Sequence, residues 1–255
     1  MKTILKSFLL LTILYSRTIN VPGEYPTIQE AIDASSDGDI VNVSEGTYYE
    51  NINFNGKSIL INGESASTTF IDGQNQESVV KIVSGEENAQ LKGLSIINGY
   101  AHGFGGSQFD HGAGVCILFS SNAVIEDCII RDGDAGYGGG ISVAEDASTL
   151  IVKNTLIYNN LATGLGGGIH AMDGSDVQII NCTISQNSSP TDIMIGGISI
   201  ATSETSISIE NSIVYGNSPN DIQYWPAYGC YESFSISYSN IGSFEGGCND
   251  TFQDT

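Results

Sequence analysis

A short pattern returns along the second half of this chain at intervals that no single strand or helix can produce. Four segments align: "GVCILFSSNAVIEDCII", "GISVAEDASTLIVKNTLI", "GIHAMDGSDVQIINCTI" and "GISIATSETSISIENSIV". Their leading glycines are Gly114, Gly140, Gly168 and Gly197, spaced 26, 28 and 29 residues apart. A second landmark follows in each, at Asp127, Asn154, Asn181 and Asn211, spaced 27, 27 and 30. "LKGLSII" fits the frame earlier, with Gly93 at the landmark, and "ISYSNI" fits later, with Tyr238, for about six coils.

Apolar residues alternate inside each coil. After the glycine, Val115/Ile117, Ile141/Val143, Ile169/Ala171 and Ile198/Ile200 would point inward, with one outward residue between. Ile125, Val152, Ile179 and Ile209 precede the landmark, and Ile130, Ile157, Ile184 and Val214 follow it by three. Short strands at a period near 27, with no helical periodicity, predict an all-β fold: a single-stranded right-handed parallel β-helix, a solenoid whose coils stack ~4.8 Å apart. The landmark needs a residue that tolerates left-handed backbone, which Asn and Gly supply. A second turn column, Gly99, Gly133, Asn160, Asn187 and Asn217, reads as structural for the same reason. Lys92, Glu126 and Lys153 stack just before the landmark as an exposed charge ladder.

The amino terminus reads differently. Lys2 and Lys6 precede the apolar run Phe8–Leu14, which predicts a secretory signal peptide over residues 1–17 and an extracellular destination, secreted or on the cell surface. Residues 18–255 then form one domain, with a cap at about 20–45 and repeats at about 78–242. Thr27 and Glu30 make a capping box, and Ile28, Ala31 and Ile32 give a short capping helix its apolar face. No further apolar run is long enough to span a membrane. No closing cap is legible after the last coil, which suggests a truncated or fragmentary reading frame, or further coils that are missing. With 8 Lys and Arg against 29 Asp and Glu, the net charge is −21, which repels phosphate backbones and argues against nucleic acid as a partner. It also repels uronate polymers unless a cation such as calcium intervenes.

The run "YPTIQEAIDA … GDIVNVSEGTYYENI … KSILINGE", with the later "GGGI … IINCTIS" units, resembles the right-handed β-helix proteins of the pectin lyase-like superfamily over residues 20–245. The resemblance implies the fold, and a protein that binds or processes extracellular polysaccharide. Any activity would be that of a polysaccharide lyase or glycoside hydrolase; the alternative is a non-enzymatic adhesin or structural module recognising a cell-surface glycan. The activity motifs do not carry over. The opening resembles pectin methylesterases, yet their Asp-Phe-x-Phe-Gly segment has no counterpart. Of the polygalacturonase pattern only "DHG" at Asp110–Gly112 remains. The sole tryptophan, Trp225, does not sit in the "WIDH" of pectate lyases.

Candidate site residues cluster around the longest interruption of the repeat, Asn98 to Gly114. Asp110 and His111 there, with Arg131 on the next turn, are the candidate catalytic groups. Asp132 and Asp134 have a spacing suited to calcium. His102, with Tyr158 and Tyr215 two coils apart, could bind sugar. His170 is expected on an exposed outward column with Cys116, Ser142 and Ser199. Cys128 and Cys182 are inward packing residues. Cys230 and Cys248 flank the last coil and could form a disulfide there.

Overall fold

The computed structural model describes residues 16–103, 110–190, 195–201, 204–225 and 234–245. Within them the chain winds as a right-handed parallel β-helix with three long sheets, and every strand pair is parallel. Sheet I has nine strands, from Thr18–Val21 and Ile40–Val43 through Asn122–Glu126 and Thr149–Lys153 to Phe234–Ser237. Sheet II has eight and lies just past the landmark; it includes Ser95–Ile97, Ile129–Arg131, Leu156–Tyr158 and Thr183–Ser185. Sheet III also has eight and follows the leading glycines; it includes Val80–Ile82, Val115–Ile117, Ile141–Val143, Ile169–Ala171 and Ile198–Ala201. A three-stranded strip, Tyr100–Ala101, Asp134–Ala135 and Leu161–Ala162, lies between sheets II and III. Three strands of sheet I precede the six that the repeat frame covers, so the coils start ahead of the recognisable repeats.

The repeat frame is the register of the sheets. Ile125, Val152, Ile179 and Ile209 are direct neighbours in sheet I, and Val115, Ile141, Ile169 and Ile198 are direct neighbours in sheet III. All eight are buried, in one continuous apolar core. Cys128 and Cys182 lie in that core as free thiols. Burial pushes the Cys128 thiol up to about 12, which keeps it protonated and unreactive.

The turns do the rest. Gly93, Asp127, Asn154, Asn181, Asn211 and Tyr238 all have positive φ, between 49° and 65°. The landmark is therefore a left-handed corner in each of these six coils. Its side chains also link coils, Asn154 donating to Asp127 at 3.2 Å and Asn181 to Asn154 at 3.3 Å. The second turn column is buried. Asn160 Nδ2 donates to Asn187 Oδ1 at 2.9 Å, Asn187 Nδ2 to Asn217 Oδ1 at 2.9 Å, and Asn217 Nδ2 to Asp221 Oδ1 at 2.8 Å. Each amide also reaches a backbone carbonyl of the preceding coil, for example Asn187 to Ile157 at 3.0 Å. The buried polar groups of this column are thus satisfied by one another.

The amino-terminal helix, Ile28–Ala34, lies on the first coil and puts Ile28, Ala31 and Ile32 into the core. Thr27 caps it by accepting from the Glu30 amide at 3.2 Å. The remaining first-turn amides, Ile28 and Gln29, go to the Glu50 carboxylate at 2.9 Å each. At the other end Lys57 donates to the Ile32 and Asp33 carbonyls. The lid is thus fastened at both ends by side chains of the coil beneath it. In the exposed ladder Lys92 pairs with Glu126 at 2.8 Å. Arg17, counted with the leader, has its amide on Asp39 and its guanidinium on Glu24. No helix among the described residues is long and apolar enough to cross a membrane.

The two columns predict different sensitivities. Asn187→Leu strands the Ile157 carbonyl and the Asn160 amide inside the core, at about 1–3 kcal/mol for each unsatisfied group. Asn181→Gly keeps the left-handed corner, φ 54°, and loses only an exposed bond, so it should cost within about 1 kcal/mol. Urea unfolding of the two variants should separate them clearly; equal losses would contradict the buried-column account.

Candidate functional site

Alternation sends every second residue of sheet III away from the core, forming the outward column Asn53, Lys81, Cys116, Ser142, His170, Ser199 and Gln223. The turns that enter sheet III differ in length and cross over parts of this column. Where they leave it open, at the Lys81 and Cys116 coils, there is a cleft of about 410 Å³. Cys116 and Leu118 form its floor, with Lys81 beside them. Burial holds the Cys116 thiol up near 12. One wall carries Gln76, Glu77 and Ser78, and Glu77 forms an ion pair with Lys81. The other wall carries Tyr100 and His102, whose rings are 4.8 Å apart. Phe119 also lines the cleft, in a left-handed conformation, φ 59°, which a bulky side chain adopts only under constraint from its surroundings. Tyr100 and Phe119 are 40% and 37% exposed, enough to offer ring faces to a ligand.

His102 Nε2 lies 2.7 Å from Asp134 Oδ1, so its orientation is set by a carboxylate in the next coil. His102 was expected to contact substrate, and it does line the cleft. Tyr100, Phe119, Glu77 and Lys81 were not singled out. Lys81 had a readable signal: it is the central, outward residue of "VVKIV" in a chain of few cations.

The other candidates fall into separate partner groups. Asp110 accepts from the Gly103 amide. His111 Nδ1 is 2.9 Å from Ser142 Oγ, over sheet III. Arg131 is on sheet II, between Ile97 and Tyr158, and pairs with Asp132. Asp132 is also held by Asn159, whereas Asp134 serves His102. The two aspartates therefore have different partners. Among the described residues no group of three or more His, Cys, Asp or Glu side chains is arranged to hold a metal ion. Tyr158 is half-buried and Tyr215 is 60% exposed; they share an outward column of sheet II with Ser185 between them, on a different face from the cleft. Cys230 and Cys248 lie outside the described residues.

His170 departs from expectation. Its register with Ser142 and Ser199 is as read from the repeats, but the column is not exposed there, and His170 is 1% accessible. Tyr137 and His111, from the incoming turns, stack over it, with ring centroids 5.3 and 6.1 Å away. Alternation tells inside from outside; it does not tell whether a turn covers the outside.

Residues 58–235 match the family described as the right handed beta helix region, a span of more than half the chain. The chain belongs to that family. No curated protein matches the sequence. Among solved structures, this β-helix resembles a pectin methylesterase from Aspergillus niger at 16% identity and a TM-score of 0.57, over 92% of this chain and 81% of that one. A pectin methylesterase from Erwinia chrysanthemi gives 14% and 0.56, covering 91% and 81%. A pectin methylesterase in complex with a hexasaccharide gives 13% and 0.55, over the same shares. At such identities the likeness is one of fold, and the chemistry of this β-helix rests on its own side chains.

The covered histidines make stability depend on pH. Burial pushes His170 down from 6.5 to about 3, reinforced by His111. His111 is also lowered by burial, against the opposing pull of Asp110 and Asp173. A depressed imidazole stabilises the fold fully above 6.5, and that contribution falls as the unfolded chain takes up the proton first. Between pH 7.5 and 4.5 His170 alone should remove about 2–3 kcal/mol. In chelator-treated protein, urea unfolding at the two pH values should show this loss, and His170→Gln should reduce it by about that amount. An equal pH dependence in both proteins would contradict the assignment.

Proposed function

We propose that this β-helix binds extracellular polysaccharide, holding a short stretch of glycan in the cleft over sheet III. The observation that carries the reading is the pair of half-exposed rings, Tyr100 and Phe119, beside a floor edged with polar groups. Sugar rings present apolar faces and hydroxyl rims. Aromatic side chains can take the faces, and Gln76, Ser78, Glu77, Lys81 and His102 can take the rims. The volume falls within the range of small-ligand sites. β-Helices of the same fold include a pectin methylesterase in complex with a hexasaccharide, which supports a saccharide as occupant. The basic, then apolar, amino terminus supports an extracellular location.

Charge narrows the ligand. Lys81 is the one cation among the lining groups apart from the histidine, and it is already paired with Glu77. On a chain of net charge −21 that favours neutral glycans, and uronic ones only with a bridging cation such as calcium. A second reading, in which bound glycan is also processed, has one observation in its favour. The His102–Asp134 pair is a base oriented by a carboxylate and facing the cleft.

Titration calorimetry against neutral and uronic oligosaccharides, with and without calcium, tests both readings. Tyr100→Ala and Phe119→Ala should each weaken neutral-glycan binding about five- to tenfold, which is about 1 kcal/mol or slightly more. Added calcium should strengthen only uronic binding. His102→Ala should weaken binding less than the aromatic variants do and abolish any turnover. Unchanged affinity in both aromatic variants, or no binding to any glycan, would sink the assignment of the cleft.

A further inference from the structure

Sheet II turns a second face to solvent, and the glycan cleft makes no use of it. Six large apolar side chains stand exposed among the described residues. Tyr100 and Phe119 line the cleft. The other four, Tyr49, Ile213, Tyr215 and Tyr238, lie in sheet II or within two residues of one of its strands. Exposed apolar residues are ordinary when scattered and informative when they gather on one face. Two outward columns run side by side through the later coils of this sheet. One is Leu156, Thr183 and Ile213, and the other is Tyr158, Ser185 and Tyr215. None of these six residues is charged. The outward face of sheet I, by contrast, carries Lys92, Glu126 and Lys153. Tyr158 and Tyr215 are two coils apart, which is ~9–10 Å along the solenoid axis. Tyr215 leans over the next coil, where a Cβ on Gly242 would lie 2.8 Å from its Cδ2 atom. That coil supports the ring, and the residue remains 60% exposed.

We propose that this face of sheet II is a second carbohydrate surface, which takes an extended, β-linked neutral glucan along the solenoid axis with Tyr158 and Tyr215 as its stacking rings. A β-linked chain of equatorial sugars is flat and straight, and it presents apolar ring faces in a line. Rings two coils apart on a straight column suit every second sugar of such a chain, whereas an α-linked helical chain would curve away. Thr183 and Ser185 offer hydroxyls to the sugar rims between the rings. Charge disfavours the other occupants. A uronate chain finds no cation among the six residues, and the nearest one in the column, Arg131, is already paired with Asp132. A second copy of the chain would bring its own net charge of −21 against the first. The surface and the cleft lie on different faces, so neither depends on the other.

Retention of the whole chain on microcrystalline cellulose, measured by depletion from solution, tests the surface. Crystalline chains present flat faces and no free stretch for a cleft to enclose. Wild type should be retained, equally at low and high salt because the ligand is uncharged. Tyr158→Ala and Tyr215→Ala should each weaken retention about five- to tenfold, and the double variant should show none. Granular starch, which is α-linked, should retain none of these proteins. Tyr100→Ala, in the cleft, should be retained on cellulose like wild type, which separates a failure of this surface from a failure of the cleft. Melting temperatures check that the variants fold. Should Tyr158→Ala not fold, Tyr215→Ala decides, because Tyr215 is mostly exposed. No retention of wild type, undiminished retention of folded Tyr215→Ala, equal loss in Tyr100→Ala, or equal retention on starch overturns the proposal. A dimer in sedimentation velocity that Tyr215→Ala dissociates also overturns it, since a second copy would then occupy the face.

Discussion

Every feature of this molecule depends on adjacent coils remaining in step. A slip of one residue would turn an isoleucine column outward and bring its polar neighbours in. Apolar packing alone resists such a slip, and the buried amides resist it more specifically. Asn160, Asn187 and Asn217 each donate to the next member, and the run ends on Asp221. Asp221 in turn accepts from the amide and the hydroxyl of Ser243 in the next coil. A shifted coil would leave these groups unpaired in a low-dielectric interior, where that is most costly. The apolar columns hold the coils together, and the amide column sets their relative position.

That division leaves one side of the solenoid free to vary. From Gly93 onward sheets I and II are joined by two residues, the first of them left-handed, a link that stays the same from coil to coil. The connection from sheet II to sheet III is unequal from coil to coil: it runs from Ile97 to Val115, from Arg131 to Ile141, from Tyr158 to Ile169 and from Ser185 to Ile198. Two residues of those turns, His111 and Tyr137, lie across the outside of sheet III. Around Lys81 and Cys116 they stand apart and border a cleft; around Ser142 and His170 they close with Tyr137 and His111. An open groove and a buried imidazole are thus two outcomes of one arrangement, set by turn length and by the aromatic residues the turns carry.

The same distinction explains what could be read in the chain before its structure was known. Columns such as Ile125–Val152–Ile179–Ile209 were legible because they follow from alternation and period. The landmark corner was legible because few residues tolerate positive φ. The early coils were less so, since Asn20, Asn42 and Asn62 stack at shorter intervals than the later repeat. The site was legible only in part. His102, which lines the cleft, was singled out because histidines in a long loop draw notice. Tyr100 and Phe119 were missed because nothing local marks an aromatic residue as half-exposed. His170 was placed in the right column and the wrong environment, because the covering residues come from separate turns. Arg131 and Asp134, close in sequence, have different partners because the chain passes from sheet II to the intervening strip between them.

The outward column then accounts for the separation of chemistries on one face. At its open end an ion pair and two aromatic rings meet solvent, which suits a ligand that is itself polar and hydrated. Farther along, Ser142, His170 and Ser199 are buried although they point away from the core. Over His170 the cover is made of two rings, Tyr137 and His111; His170 Nδ1 and Ser199 Oγ are buried there without a hydrogen-bond partner. A side chain placed in that column meets water or a ring according to which coil it occupies. The surroundings that an outward side chain meets on this face are therefore set by the turn of its own coil, open beside Lys81 and closed by Tyr137 and His111 over His170.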